Sequence, residues 1–142
     1  MTKEVTIYVC GIQHGSEEKT EITSKGSYYF KRDKQYLVYE EKSGDSSDIT
    51  KNLVRFDNKE VSITKSGAIN TNMIFREGSK IISDYATPYG SIKMGFDTQK
   101  VIVEESDEEI RIDIKYALET NGAFLANCET IIKITGQRED KI

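Results

Sequence analysis

Residues 109–118 read Glu109-Ile110-Arg111-Ile112-Asp113-Ile114-Lys115-Tyr116-Ala117-Leu118, an almost unbroken alternation of polar and apolar side chains. A helix would scatter those apolar groups around its axis, whereas a strand sends successive side chains to opposite faces. This stretch therefore belongs in a sheet with one face in a core and the other in water.

The same period recurs in short runs along the chain, separated by turn-forming residues. Asn121-Gly122 follows the run just described. Both residue types tolerate positive φ, as a type I′ hairpin turn requires, so the chain should return through 124–134. Upstream, Val5, Ile7 and Val9 alternate with Thr6, Tyr8 and Cys10, and residues 28–30 run into a predicted turn at Asp33-Lys34 before a strand at 36–39. Runs 53–56 and 61–63 flank Asp57-Asn58, and runs 69–75 and 81–85 flank Glu77-Gly78, which predicts two further hairpins. Runs 91–96 and 100–104 follow. The lone proline, Pro88, restricts Thr87 and cannot donate to a ladder, so 87–90 should be a bend between strands. The polar segment 44–50 reads as a loop or a single helical turn.

So many strands in sequence predict a meander, and closure removes the exposed edges of a large sheet. The expectation is an all-β, closed or nearly closed antiparallel meander barrel of about 8–10 strands. The 142 residues fit one domain spanning 1–142. Formal net charge is −4, and Lys and Arg are scattered, so no basic stripe is present to track nucleic-acid phosphates. No segment approaches the ~20 apolar residues of a membrane span, and the first eleven residues lack the continuous apolar core of a signal peptide. Cys10 and Cys128 lie outside any recurring spacing and read as free thiols. Together these features point to the cytoplasm, with neither nucleic acid nor membrane as partner; nothing in the pattern specifies an oligomeric state.

Four segments carry a resemblance to a known family: Tyr36-Leu37-Val38-Tyr39-Glu40-Glu41; Ser66-Gly67-Ala68 leading to Met73 and Phe75; residues 85–90 with Ser91-Ile92 behind them; and the alternating strand 111–116. In this order and spacing the chain resembles the YwiB-like family of uncharacterised β-barrel proteins from Gram-positive bacteria. The resemblance implies a calycin (lipocalin)-like closed barrel with no assigned activity. One departure is Lys65, where relatives often carry Arg before the Ser-Gly, so a role needing a planar, bidentate guanidinium does not carry over.

A barrel of about eight strands is either filled by side chains or just wide enough for one small ligand. If a cavity exists, Tyr36, Tyr85, Tyr89 and Tyr116, with Met73 and Phe75, could line it with rings and hydroxyl handles. Glu40 and Glu41 fall on opposite faces of one strand, and Glu40, which shares a face with Tyr36 and Val38, is the expected inward carboxylate; Lys65 is its candidate partner. His14, the only histidine, sits in a turn-like stretch and with Cys10 supplies at most two ligands, so no metal is expected, and the isolated glycines form no phosphate loop, so no other cofactor is expected either. The acidic run 104–109 lacks the register of a calcium loop and reads as a solvated turn. These residues point to a non-enzymatic barrel that binds a small, partly apolar molecule. Two alternatives stand beside it: a protein-interaction or structural barrel with a filled core, and an enzyme using a buried carboxylate.

Overall fold

The structure, a computed structural model, describes residues 2–15, 18–42, 48–68 and 70–136. Ten strands follow one another: β1 (Thr2–Gln13), β2 (Glu18–Lys31), β3 (Lys34–Lys42), β4 (Ile49–Phe56), β5 (Glu60–Gly67), β6 (Asn70–Arg76), β7 (Lys80–Thr87), β8 (Gly90–Glu105), β9 (Glu109–Thr120) and β10 (Ala123–Gly136). Each pairs antiparallel with its sequence neighbours, and β1 closes on β10 from Val5↔Gly136 to Gln13↔Cys128. The all-β meander barrel expected from the alternation is the fold.

Turn chemistry explains the hairpins. Asn121 and Gly122 hold φ of 48° and 86°, the positive values a type I′ turn demands. Between β2 and β3 the positive-φ residues are Arg32 and Asp33, so the turn lies one residue earlier than Asp33-Lys34. Asp57 Oδ1 accepts from the amides of Lys59 and Glu60, a side-chain lock on the β4–β5 turn. Pro88 and Tyr89 turn the chain between β7 and β8, with Thr87 paired to Gly90 across them.

Three expectations change. Runs 91–96 and 100–104 form a single strand, β8, whose register slips between Thr98 and Lys100. Such a bulge lets one long strand bend around a small barrel. β2 begins at Glu18, well before the aromatic run, because its first half pairs with β1 and needs little core of its own. Ile49 and Thr50 belong to β4, where a loop was expected; positions 44–47 lie outside the described residues, as does position 69 at the start of the sixth expected strand.

Inward-facing side chains fill the middle of the barrel. Leu37, Val54, Phe56, Val61, Ile112 and Ile132 are at most 1% exposed, each contributing roughly 1.5–3 kcal/mol by leaving water. Phe75, Phe96 and Tyr116 form an edge-packed trio with centroids 4.8–5.9 Å apart. Gly26 makes a tight crossing possible, since a β-carbon there would lie 2.4 Å from the Val38 carbonyl oxygen and 2.5 Å from Ile7 Cδ1.

The ladders are uneven. β6 and β7 share only the pairs Asn70↔Ala86 and Thr71↔Tyr85. Their connecting turn is held instead by β8: Gly78 N donates to Thr98 O, Thr98 N to Ser79 O, and Val101 N to Glu77 Oε1. At the barrel end formed by the β2–β3, β4–β5, β6–β7 and β8–β9 turns, Tyr28 donates to Gln35 Oε1, and Gln35 Nε2 reaches across to Glu105 Oε2. The opposite end, where β3 finishes, β4 starts and β5 finishes, is built differently.

A polar mouth at one end of the barrel

Along β4 every second residue is buried: Thr50, Asn52, Val54 and Phe56. Register then determines what they meet. Glu41 lies opposite Thr50, Tyr39 opposite Asn52, Leu37 opposite Val54, and on the other side Lys65 lies opposite Asn52. Three neighbouring strands thus send a carboxylate, an amide and an ammonium into the same end of the barrel.

The three groups bond one another. Lys65 Nζ donates to Glu41 Oε1 at 2.6 Å and to Asn52 Oδ1 at 2.7 Å, while Asn52 Nδ2 donates to Glu41 Oε1 at 3.0 Å. The Lys65 and Glu41 side chains are 17% and 19% exposed, so the pair is set back from bulk water. Burial by itself pushes the Glu41 carboxyl up, but the hydrogen bonds from Lys65 and Asn52 and the lysine charge outweigh it and hold the carboxyl below its usual range. Tyr39 and Tyr85 sit in the field of this carboxylate. Burial first, and the Glu41 charge second, push both hydroxyls up, so each stays protonated at neutral pH.

Thr50 completes the cluster. It is fully buried, and among the described residues its Oγ1 has no hydrogen-bond partner. Most buried hydroxyls find one, which makes this group the cluster's unused donor and acceptor.

A groove of about 540 Å³ lies over the rim, lined by Asp48, Ile49, Gly67, Ala68, Asn70, Ala86 and Pro88. The groove adjoins the cluster through sequence neighbours, since Ile49 precedes Thr50, Gly67 follows Lys65 by two and Ala86 follows Tyr85, while the cluster side chains themselves lie beneath its lining. Gly67 shapes this rim. Its φ is +125°, and a β-carbon would stand 2.3 Å from the Ile49 carbonyl oxygen. A second groove of about 390 Å³ runs past Ile49 to Ser24, Val38, Tyr39 and Glu40.

The residues expected at a site divide into three groups. Lys65 and Tyr85 do face the cluster. Met73, Phe75 and Tyr116 face inward but are packed into the core; the Tyr116 hydroxyl lies 3.3 Å from that of Thr130, and burial pushes it up to about 12. Tyr36, Glu40 and Tyr89 point away from the interior. Tyr36 stacks on Tyr29 on the outer wall, with centroids 4.9 Å apart and planes 6° from parallel. Glu40 is exposed on that wall, beside the outer groove, and Tyr89 is 99% exposed in the β7–β8 turn. The shared face of Tyr36, Val38 and Glu40 is real, but it is the outer one, because Leu37 and Tyr39 occupy the core. The inward carboxylate is therefore Glu41, and Lys65 pairs with it.

Sequence reasoning missed Glu41, Asn52 and Thr50. The available signal was the alternation of residues 50–56, which continues in phase into the apolar Val54 and Phe56. Elsewhere, His14 is exposed in a turn, 3.9 Å from Glu129. Among the described residues, no group of three His, Cys, Asp or Glu side chains is placed to hold a metal, and no helix is long and apolar enough to cross a membrane. Both cysteines are buried and free.

Comparison with known proteins agrees with this fold. The "Uncharacterized beta-barrel protein YwiB" of Bacillus subtilis (strain 168) is 30% identical over 114 residues, which is 79% of this chain and 79% of that protein. The structure described as "Crystal structure of ywiB protein from Bacillus subtilis" superposes with a TM-score of 0.84 at 26% identity, covering 96% of this chain and 94% of that one. The profile of the "Domain of unknown function (DUF1934)" matches residues 7–132. With most of its length matched, the chain belongs to the DUF1934 family of bacterial β-barrel proteins.

Proposed function

We propose that this protein is a non-enzymatic, cytoplasmic barrel that binds a small, partly apolar molecule at its polar end, in the lipocalin-like manner but at the mouth. The observation that carries the reading is the inward cluster of Glu41, Asn52 and Lys65, with the buried Thr50 hydroxyl beside it unpartnered among the described residues. Polar groups placed inside a fold are costly unless paired, and an unpaired hydroxyl directly behind Ile49, which lines the rim groove, favours completion by a ligand. Ile49, Ala68, Ala86 and Pro88 supply apolar surface at the rim. The packed middle of the barrel leaves the mouth as the place for a guest.

Catalysis finds less support. A general acid at neutral pH needs a raised carboxyl pKa, and Glu41 is held low. Net charge of −4 and scattered cations disfavour nucleic acid, while two free buried thiols suit a reducing compartment.

The test is an NMR screen of the labelled protein against a small-molecule fragment library. Fragments that bind should shift the Ile49, Ala68 and Ala86 methyls together with the Asn52 side-chain amide. Shifts confined to the outer wall, or no binder at millimolar concentration, would overturn the reading and leave a filled barrel that acts through its surface.

A further inference from the structure

The arrangement of donors and acceptors at the mouth says what kind of group can enter it. Resting on the binding reading above, we propose that the ligand inserts an uncharged group bearing a hydrogen-bond donor and an acceptor on adjacent atoms, as a vicinal diol does.

The argument starts from charge. Lys65 and Glu41 neutralise each other at 2.6 Å, and both are more than four-fifths shielded from solvent. An anionic group brought to Lys65 would lie beside Glu41, and a cationic group brought to Glu41 would lie beside Lys65. Either arrival sets like charges together in a region of reduced dielectric, or separates a pair that burial makes costly to break. A neutral group meets neither penalty.

Hydrogen-bonding capacity then selects among neutral groups. Lys65 uses two of its three N–H donors within the cluster, on Glu41 Oε1 and Asn52 Oδ1. Both bonds to the carboxylate from described side chains, from Lys65 and Asn52, fall on Oε1, so among the described residues Oε2 keeps acceptor capacity. The site therefore offers a donor and an acceptor side by side without the ion pair opening. Two adjacent hydroxyls satisfy it: one accepts from Lys65 while its neighbour donates to Glu41 Oε2. The Thr50 hydroxyl, on the residue paired with Glu41, is buried and has no partner among the described residues. Tyr39 pairs with Asn52, and Tyr85 lies level with Lys65 through Thr71, so two protonated phenols share the cluster's level in the barrel.

The experiment compares three eight-carbon probes that differ only in the head: 1,2-octanediol, octanoate and octylammonium. Affinities are read by NMR titration of the Glu41, Asn52 and Lys65 backbone amides. The diol should bind about fivefold or more tighter than either ion. Removing one charge should then redirect the preference: Glu41→Gln towards octanoate, Lys65→Met towards octylammonium, each variant first checked for a native amide spectrum. If an ionic probe binds best to the parent protein with its footprint on these three amides, the neutral-head inference falls and the binding reading survives. If none of the three perturbs the mouth, both fall. The parent ranking decides the inference even if a variant fails to fold.

Discussion

The two ends of β4 lie in the same barrel and follow the same alternation, yet they enclose different chemistry. Val54 and Phe56 face Leu37, Ile63 and Val61 in a buried apolar layer. Two and four residues earlier, Asn52 and Thr50 are equally buried and face Glu41 and Lys65. The apolar layer is held by shape and area removed from water, so its strength scales with volume. The polar layer is held by bonds among Glu41, Asn52 and Lys65, so it is strong only while each of the three is present. Burial pattern alone does not distinguish the two.

The sharpest way to expose the difference is to damage each layer in turn. Phe56→Ala removes a side chain that is 1% exposed, and denaturant unfolding should show a loss of about 3–5 kcal/mol. Lys65→Met strands Glu41 and half of Asn52; because the pair keeps some solvent access, the expected loss is about 1–3 kcal/mol. Its pH profile identifies the cause. The folded Glu41 pKa lies below the ordinary glutamate value of about 4.3. Its contribution is therefore fully present above that value and disappears as pH falls through the lowered one. Lys65→Met should flatten this acid limb, while Phe56→Ala should leave it in place.

Gly67→Ala tests the rim, not the layer beneath. The residue's φ of +125° and the 2.3 Å approach to the Ile49 carbonyl oxygen predict a loss of about 1–2 kcal/mol, with methyl shifts centred on Ile49. The smallest effect is expected on the outer wall at Asp113. Burial first, and the neighbouring Glu129 carboxylate second, raise its carboxyl. A raised acid favours folding below its unfolded pKa and loses that advantage as pH rises through the folded value. Asp113→Asn should accordingly stabilise the protein by about 0.5 kcal/mol at pH 7, with the gain fading in acid.

These contrasts also explain what was legible beforehand. Strand identity follows from alternation, and three turns follow from local chemistry at Asp57, Pro88 and Asn121-Gly122, so the closed meander could be read directly. The merger of two runs into β8 could not, because the bulge at Thr98 to Lys100 breaks the period just where the strand continues. The site was legible only in part. That one of Glu40 and Glu41 must face inward follows from the pleat, but which one depends on the phase of β3. Tyr36 and Val38 are as apolar as Leu37 and Tyr39, so β3 alone leaves the phase open; it is set by tertiary register with Asn52 and Val54 on β4. Lys65 could be picked out as a partner because a buried charge needs one. Asn52 and Thr50 carry no charge and gave no comparable warning.

The central claim is that the polar layer serves a guest and is not what keeps the barrel folded. Replacing it with apolar groups of similar size, Glu41→Leu/Asn52→Leu/Lys65→Met, and measuring urea unfolding tests this most directly. Buried ion pairs exchanged for well-packed apolar groups are commonly neutral or stabilising, so the account predicts stability within about 1 kcal/mol of the parent, or above it. A greater loss would contradict it and make the cluster a structural plug.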